Sequence, residues 1–411
     1  MPSLELTSRV PTQIMDHVAM QCNIPAEQVR TLNLAKPSPG GGFSNLPSLF
    51  SQLLTNSNIT NRRAAVATFN SQNTWRKRGI AAIPTEYTSG WGGTPQHGAL
   101  VDVYPDGTIL IYVSGIELGQ GLYTKVAQVA AITLGLTGDA TDLIEVQCTS
   151  TAAIPNGGGT GGSTTSGKNC AGVQLACAEI RTRFDTIRRV QAQVKGEEPG
   201  EWPEAFSKDA WSDLVHAASH AKVDMCVKSW VTGMSASGNG YCAAIAEVEI
   251  DVLTGELQIL QADVLYDAGK SLSPLIDIGQ IEGAFMIGVG HLTTESLDYD
   301  RTTGELITFD TWEYKPPQSL DIPVVWNTTL LPYAPNPTGF LGSKVVGEPP
   351  LICANAVFYA IKDAVRAARM GTGGAGAGWF PLPIPATPVE VQKLCPTVTT
   401  YLDKVVTGGE E

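Results

Sequence analysis

Residues 157–169 read GGGTGGSTTSGKN, and an amphipathic helical pattern follows them. The part from Gly162 to Asn169 falls one residue short of the nucleotide-binding pattern GxxxxGK[ST]. The nucleotide reading fails on three counts. Asn169 stands where a Ser or Thr hydroxyl would hold magnesium. The strand before the loop, LIEVQC at 143–148, ends well short of it, with STAAIPNGGGT between. No clean apolar strand ending in a magnesium-binding Asp follows; residues 257–263 come nearest, and their alternating polar residues read as a surface strand. What survives is a physical property. Ser163, Thr164, Thr165 and Ser166 stand at the start of a helix whose first amides are unpaired, which caps well and attracts an anion. An ordinary capped loop satisfies the same spacing.

Outward from this loop the grammar is one of hairpins and helices. GALVDVYPDGTILIYVS (98–114) alternates apolar and polar residues on either side of Pro105-Asp106-Gly107, a β-hairpin signal. GIELGQGLYTKVAQVAAITLG follows, with Leu122, Val126, Val129 and Ile132 on one helical face. The helix after the Gly-rich loop carries Val173, Cys177, Ile180 and Phe184 on one face. A second hairpin spans 243–269, turns at Thr254-Gly255, and leads into SLSPLIDIGQIEGAFMIGVG. Hairpin, Gly-Gln element and helix therefore occur twice, as an internal duplication or as ordinary α+β grammar. Two short helices at 11–22 and 25–34 precede a boundary loop at 36–45, and two more helices follow it. The middle, 185–225, is polar and helical with an exposed loop at 195–204. LICANAVFYAIKDAVRAARM (351–370) is the strongest helix, and GTGGAGAG (371–378) reads as a surface loop. The fold class is α+β, with mixed sheets and β-hairpins flanked by helices.

Composition narrows the partners. The 411 residues are 43% hydrophobic and 16% charged, with a net charge of −13 and no basic patch, which argues against nucleic acid and anionic membranes. No apolar run reaches the length of a membrane span, and MPSLELTSRV lacks the order of a signal peptide. The eight cysteines form no CxxC pair and sit among apolar residues, which reads as buried free thiols in a reducing compartment.

Single residues stand out. Gln120 and Gln280 each lie between glycines at a predicted helix start, and an amide that both donates and accepts suits a heterocycle edge or an oxo ligand as well as a helix cap. Glu348 sits between Gly347 and Pro349-Pro350. Pro349 predicts an extended backbone for it, and Pro350 suits a first helical turn. It reads as a helix-dipole acid or as a general base on a rigid mount. His216 and His220 have i, i+4 spacing without the Glu of a zinc helix and read as surface residues.

Taken in order, GIELGQGLYTKVAQV, TSTAAIPN with its Gly/Ser loop, EVEIDVLTGELQIL, DIGQIEGAF and SKVVGEPPLICANAVFYAIKDAVRAAR resemble the molybdenum-binding part of xanthine dehydrogenases and aldehyde oxidases, over almost the entire chain. The resemblance implies a molybdopterin cofactor whose metal is held through the pterin dithiolene, with no protein metal ligand. It places Gln120, flanked by Gly119 and Gly121, near the metal's oxo group. It assigns Gly162, Ser163, Thr165, Ser166 and Gln280 to the pterin and its phosphate, and makes Glu348 the catalytic base. Trp91 lies where xanthine dehydrogenases place a Phe that stacks on the purine. The implied reaction hydroxylates an electron-poor carbon of a purine, N-heterocycle or aldehyde with oxygen from water.

Two local departures stand out. The loop is richer in Gly than the family's run, and Ser273 stands where SLNP is usual. The family adds [2Fe-2S] clusters, FAD and a first molybdopterin domain, which are expected as partner domains or subunits of a homodimeric, cytoplasmic (alternatively peroxisomal) enzyme. Residues 1–40 read as the last helices of that first domain with a linker, and 41–411 as the second molybdopterin-binding domain. The FRG-type loop of the first domain is not in this chain, which is therefore expected to supply roughly half of the active-site cavity. The alternative is a truncated, catalytically incomplete chain acting only in binding or assembly.

Overall fold

The structure, a computed structural model, describes residues 2–34, 44–91, 97–231, 239–334, 336–371 and 378–396, with backbone alone for 2–11. The expected boundary loop at 36–45 and the surface loop at 371–378 lie almost wholly outside these residues. Helices α1 (Pro2–Cys22), α2 (Ala26–Asn33), α3 (Leu46–Asn56) and α4 (Ile59–Gln72) come first. Strand β1 (Arg76–Tyr87), the hairpin β2 (Gly98–Val103) and β3 (Ile109–Val113), α5 (Leu122–Leu134) and β4 (Ile144–Val146) follow. Next are α6 (Thr165–Lys195), α7 (Lys208–His220), β5 (Cys226–Trp230) and the hairpin β6 (Gly240–Asp251) and β7 (Leu257–Asp267). The chain continues through α8 (Pro274–Thr293), β8 (Val325–Leu330), α9 (Pro349–Cys353), α10 (Asn355–Met370) and α11 (Pro388–Leu394).

The strands form two four-stranded mixed sheets, ordered β4-β3-β2-β5 and β1-β6-β7-β8. Both are built alike. A hairpin sits at the centre, and its second strand pairs parallel with a later short strand, β3 with β4 and β7 with β8. Its first strand pairs antiparallel with the remaining one, β2 with β5 and β6 with β1. A parallel neighbour requires a crossover, which α5 and α8 provide. The repeated order seen in the sequence thus extends to sheet topology. The Gly-rich loop before α6 and the segment before α9 occupy matching places, each after the parallel strand.

Packing explains the apolar runs. On β6, Cys242, Ala244, Ala246, Val248 and Ile250 face a core shared with α8 and α10, while Tyr241, Ala243 and Ile245 face one shared with α3. Both faces are covered, so the strand reads as continuous apolar sequence rather than alternation. The other sheet packs beneath α5, α6 and α7. Each fully buried Leu, Ile or Phe contributes roughly 1.5–3 kcal/mol. Val173, Cys177, Ile180 and Phe184 all lie in this core, as the periodicity predicts.

The structure corrects several expectations. Ile132 is 75% exposed, because the buried stripe of α5 runs through Leu122, Val126, Ala130 and Leu134 and leaves it outside. Residues 257–263 belong to β7, an interior strand between β6 and β8. Gln258 is exposed, but the later polar residues meet protein: Asp263 accepts from Arg62, Gln261 and Asn327. Within the loop expected to be exposed at 195–204, Trp202 is buried and its indole N–H donates to the Leu134 carbonyl. The first helix begins at Pro2 rather than at 11.

All eight cysteines are free thiols, five of them buried, and burial pushes Cys170 and Cys177 up to about 12. Among the described residues no helix is long and apolar enough to cross a membrane.

Candidate active site

A cavity of about 370 Å³ lies where the Gly-rich loop, the Gly-Gln loop before α5, α8 and residues 343–348 converge. Gly162 and Ser163 both take left-handed backbone, with φ of +66° and +54°. Glycine does this freely, whereas for a serine it costs roughly 1–2 kcal/mol. The Ser163 hydroxyl shows what offsets that cost. Its Oγ donates to Glu348 Oε2 at 2.8 Å and accepts the Glu348 N–H at 3.0 Å. Tyr87, the last residue of β1, donates its hydroxyl to the same Oε2 at 2.5 Å. Burial first, and the neighbouring Glu348 second, push the Tyr87 phenol well up, so it remains a donor.

Glu348 is the residue before α9, with φ −96° and ψ −34°. Its backbone is helical, not extended as Pro349 predicts. The preference set by a following proline is a soft one, and two bonds outweigh it here: the Ser163 clamp and the Leu351 N–H donated to the Glu348 carbonyl. The rest of the mount is stiff. Lys344 N–H donates to the Ala268 carbonyl, Tyr266 OH donates to the Val345 carbonyl, and buried Lys344 pairs with buried Asp267 at 2.5 Å.

The two Gly-Gln elements meet but differ. Gln120 lies on the loop before α5, and its amide turns back on that loop, accepting from Leu118 N–H at 2.5 Å and donating to the Ile116 carbonyl at 2.8 Å. Glu117 ties the same loop by accepting the N–H groups of Gly119, Gly121 and Tyr123. Gln280 is not at a helix start. Ser273-Pro274 opens α8 earlier, so Gln280 falls in its second turn, and it donates to the Gly119 carbonyl at 3.1 Å. Behind this contact Lys125 of α5 pairs with Asp277 of α8 at 2.9 Å, both buried, and Ser271 donates to Asp277.

Thr165 and Ser166 both line the cavity; Thr165 is otherwise buried, and its hydroxyl accepts the Gly161 N–H. Trp91 also lines it, stacked on Phe340 with ring centroids 6.4 Å apart. Lys168 is buried behind the loop and is not among the lining residues. Asn169 is a buried node. Its carbonyl oxygen accepts from Ser114 and Gly115 N–H, and with Ser114 it brackets the buried His97 ring. Burial, and then Lys168, hold His97 down at about 4. His216 and His220 are exposed on α7, far from these loops in sequence.

Of the residues singled out in the sequence, Trp91, Gln120, Gly162, Ser163, Thr165, Ser166, Gln280 and Glu348 thus converge on one cavity, with Gly119 and Gly121 on its supporting loop. Tyr87, Glu117 and the Lys125–Asp277 pair escaped the sequence reading. Only Glu117, an acid two residues before Gly119, carried a local signal. Among the described residues no group of three or more His, Cys, Asp or Glu is arranged to hold a metal ion.

Comparison with known proteins points one way. A family model described as Molybdopterin cofactor-binding domain matches residues 52–323. The xanthine dehydrogenase/oxidase of Rattus norvegicus is 38% identical over 97% of this chain and 30% of its own length. Probable aldehyde oxidase 2 of Oryza sativa subsp. japonica is 35% identical over 96% of this chain and 29% of its own length. The chain therefore spans about 30% of the length of these relatives. In fold it is similar to CO dehydrogenase from Oligotropha carboxidovorans, with a TM-score of 0.74 at 20% identity over 92% of this chain and 50% of that one.

Proposed function

The chain belongs to the molybdopterin cofactor-binding domain family, and on that premise we propose that it forms one side of the active site of a molybdenum hydroxylase, with Glu348 as the proton-accepting base. The observation that carries the reading is the fixed carboxylate: Glu348 faces the cavity from a stiff corner, held by two hydroxyls on one oxygen.

The residues present fit the cofactor. A Cβ built on Gly161 or Gly162 would meet nothing within 4 Å, so bare backbone faces the cavity at the start of α6, as a phosphate requires. Both lysines that line the cavity are already neutralised, Lys125 by Asp277 and Lys344 by Asp267. The remaining donors include backbone amides, the Thr160 and Ser166 hydroxyls, the Trp91 indole N–H and carboxamides, a set suited to a hydrogen-bonding heterocycle. In this reading the loop at 161–166 and the first amides of α6 hold the pterin phosphate, and Gln280 and Gln120 hold or face the ring system. When bound, molybdopterin supplies a two-electron acceptor and a Lewis-acidic centre for oxygen drawn from water. Glu348 Oε1 takes the proton released as the substrate carbon is hydroxylated, and the Trp91–Phe340 stack gives a flat apolar wall for an aromatic or aldehyde substrate.

We read residues 1–40 as the end of a first molybdopterin domain and 41–411 as the second, with iron–sulfur and flavin units elsewhere in the assembly. Exposed apolar groups at the cavity support a covering partner: Leu118 is 67% and Ile287 59% exposed.

The test is the Glu348→Gln variant in the assembled enzyme. It should retain molybdenum and pterin while turnover with purine and aldehyde substrates falls by about 10²–10⁴. Undiminished turnover refutes the base. If neither variant nor wild type binds metal, alone or with a first-domain partner, the chain acts in binding or assembly only.

A further inference from the structure

The carboxylate of Glu348 is not held symmetrically. Tyr87 and Ser163 each have a single hydroxyl proton, and both protons go to Oε2, at 2.5 and 2.8 Å. Ser163 Oγ also accepts the Glu348 N–H at 3.0 Å. Neither hydroxyl therefore has a proton left for Oε1, which has no hydrogen-bond partner among the described residues. Neither lysine in the cavity wall donates to it: Lys125 donates to Asp277 and Lys344 to Asp267.

Tyr87 is placed by the sheet rather than by a loop. It pairs with Gly240 at the end of the β1–β6 register. A Cβ on Gly240 would stand 3.0 Å from Pro349 Cγ, so the end of the sheet lies directly against the residue after Glu348. The phenol is 7% exposed, and burial keeps it protonated. Ser163 comes from a loop with left-handed backbone, whereas Tyr87 comes from a rigid strand, so the tyrosine sets the position to which the serine adapts.

We propose that Tyr87 is a positioning residue for Glu348, occupying Oε2 so that Oε1 is the single oxygen presented to the proton that the water-derived oxygen releases as the substrate carbon is hydroxylated. The inference rests on the reading of Glu348 as the base. Removing the phenol hydroxyl leaves the carboxylate free to rotate and to share a proton between both oxygens. The price is orientation rather than binding, so kcat falls and KM does not.

The test is Tyr87→Phe in the assembled holoenzyme, with two readouts. Turnover should show kcat reduced about tenfold, with KM and molybdenum content unchanged, the fold-change expected for one lost hydrogen bond to a charged group. Infrared spectroscopy supplies the second. The carboxylate stretch assigned to Glu348, as the difference between wild type and Glu348→Gln, should shift in Tyr87→Phe. An unmoved band, or a kcat within twofold of wild type, overturns the proposal. If Glu348→Gln keeps full turnover, the base reading has failed and the positioning role fails with it, whereas an inactive Glu348→Gln beside an unaffected Tyr87→Phe sinks only the positioning role. Should Tyr87→Phe not fold, fluorotyrosine placed at position 87, a stronger donor, must move the same band in the opposite direction, and a stationary band overturns the proposal.

Discussion

At the scale of single residues, the site is a set of hydrogen bonds between positions remote in sequence. Ser163 and Glu348 are 185 residues apart, and each was visible for a separate local reason: hydroxyls before a helix, and an acid wedged between Gly and Pro-Pro. Their contact, and the second hydroxyl, from Tyr87, left no local trace. His97 gives a prediction at this scale. It is buried, and its folded pKa, about 4, lies below the ordinary value of 6.5. Between these values the unfolded chain binds the proton that the folded ring refuses, so stability is full above pH 6.5 and is lost as pH falls towards 4. The loss amounts to about 3 kcal/mol at most. Urea unfolding at pH 7 and pH 5 should show a larger drop for the wild type than for His97→Gln. Equal drops would show that the ring does not titrate as its burial requires.

At the scale of elements, periodicity found the helices and hairpins but could not say what covers each face. The polar alternation of β7 looked like contact with water; Gln258 is exposed, but Asp263 is buried and pairs with Arg62 and accepts from Asn327. Ile132 looked buried and is not, because the buried stripe of α5 runs through Leu122, Val126, Ala130 and Leu134. Gln280 was legible as a motif but not as a second-turn residue, since the helix start is set by Ser273-Pro274 upstream. The clamp between α5 and α8 depends on the buried Lys125–Asp277 pair. Lys125→Met strands a buried carboxylate and should cost about 3–5 kcal/mol, while Lys125→Met with Asp277→Leu should recover most of it. Urea denaturation of both variants measures this. A double variant as unstable as the single one would mean that the pair contributes through packing rather than charge.

At the scale of the molecule, the two similarly built sheets bring their matching loops face to face, Gly119 against Gln280 and Ser163 against Glu348. A ligand bridging these loops binds only the folded chain. Loading with molybdopterin at roughly a hundred times its dissociation constant should therefore stabilise the fold by about 2.7 kcal/mol, raising the thermal midpoint by a few degrees. Scanning calorimetry of cofactor-loaded and cofactor-free protein tests this, and identical midpoints would mean that the folded chain does not bind the cofactor preferentially. The sequence alone determined most of the helices, the two hairpins, the failure of the nucleotide motif and the family likeness. All of these rest on backbone preferences and spacings within a few turns of chain. Only the tertiary structure decided that Tyr87 and Ser163 share one oxygen of Glu348, that Glu348 is helical, and that the cavity's lysines are neutralised by buried aspartates. Those outcomes depend on sheet register and helix packing between distant segments, where long-range hydrogen bonds outweigh the local preference of each residue.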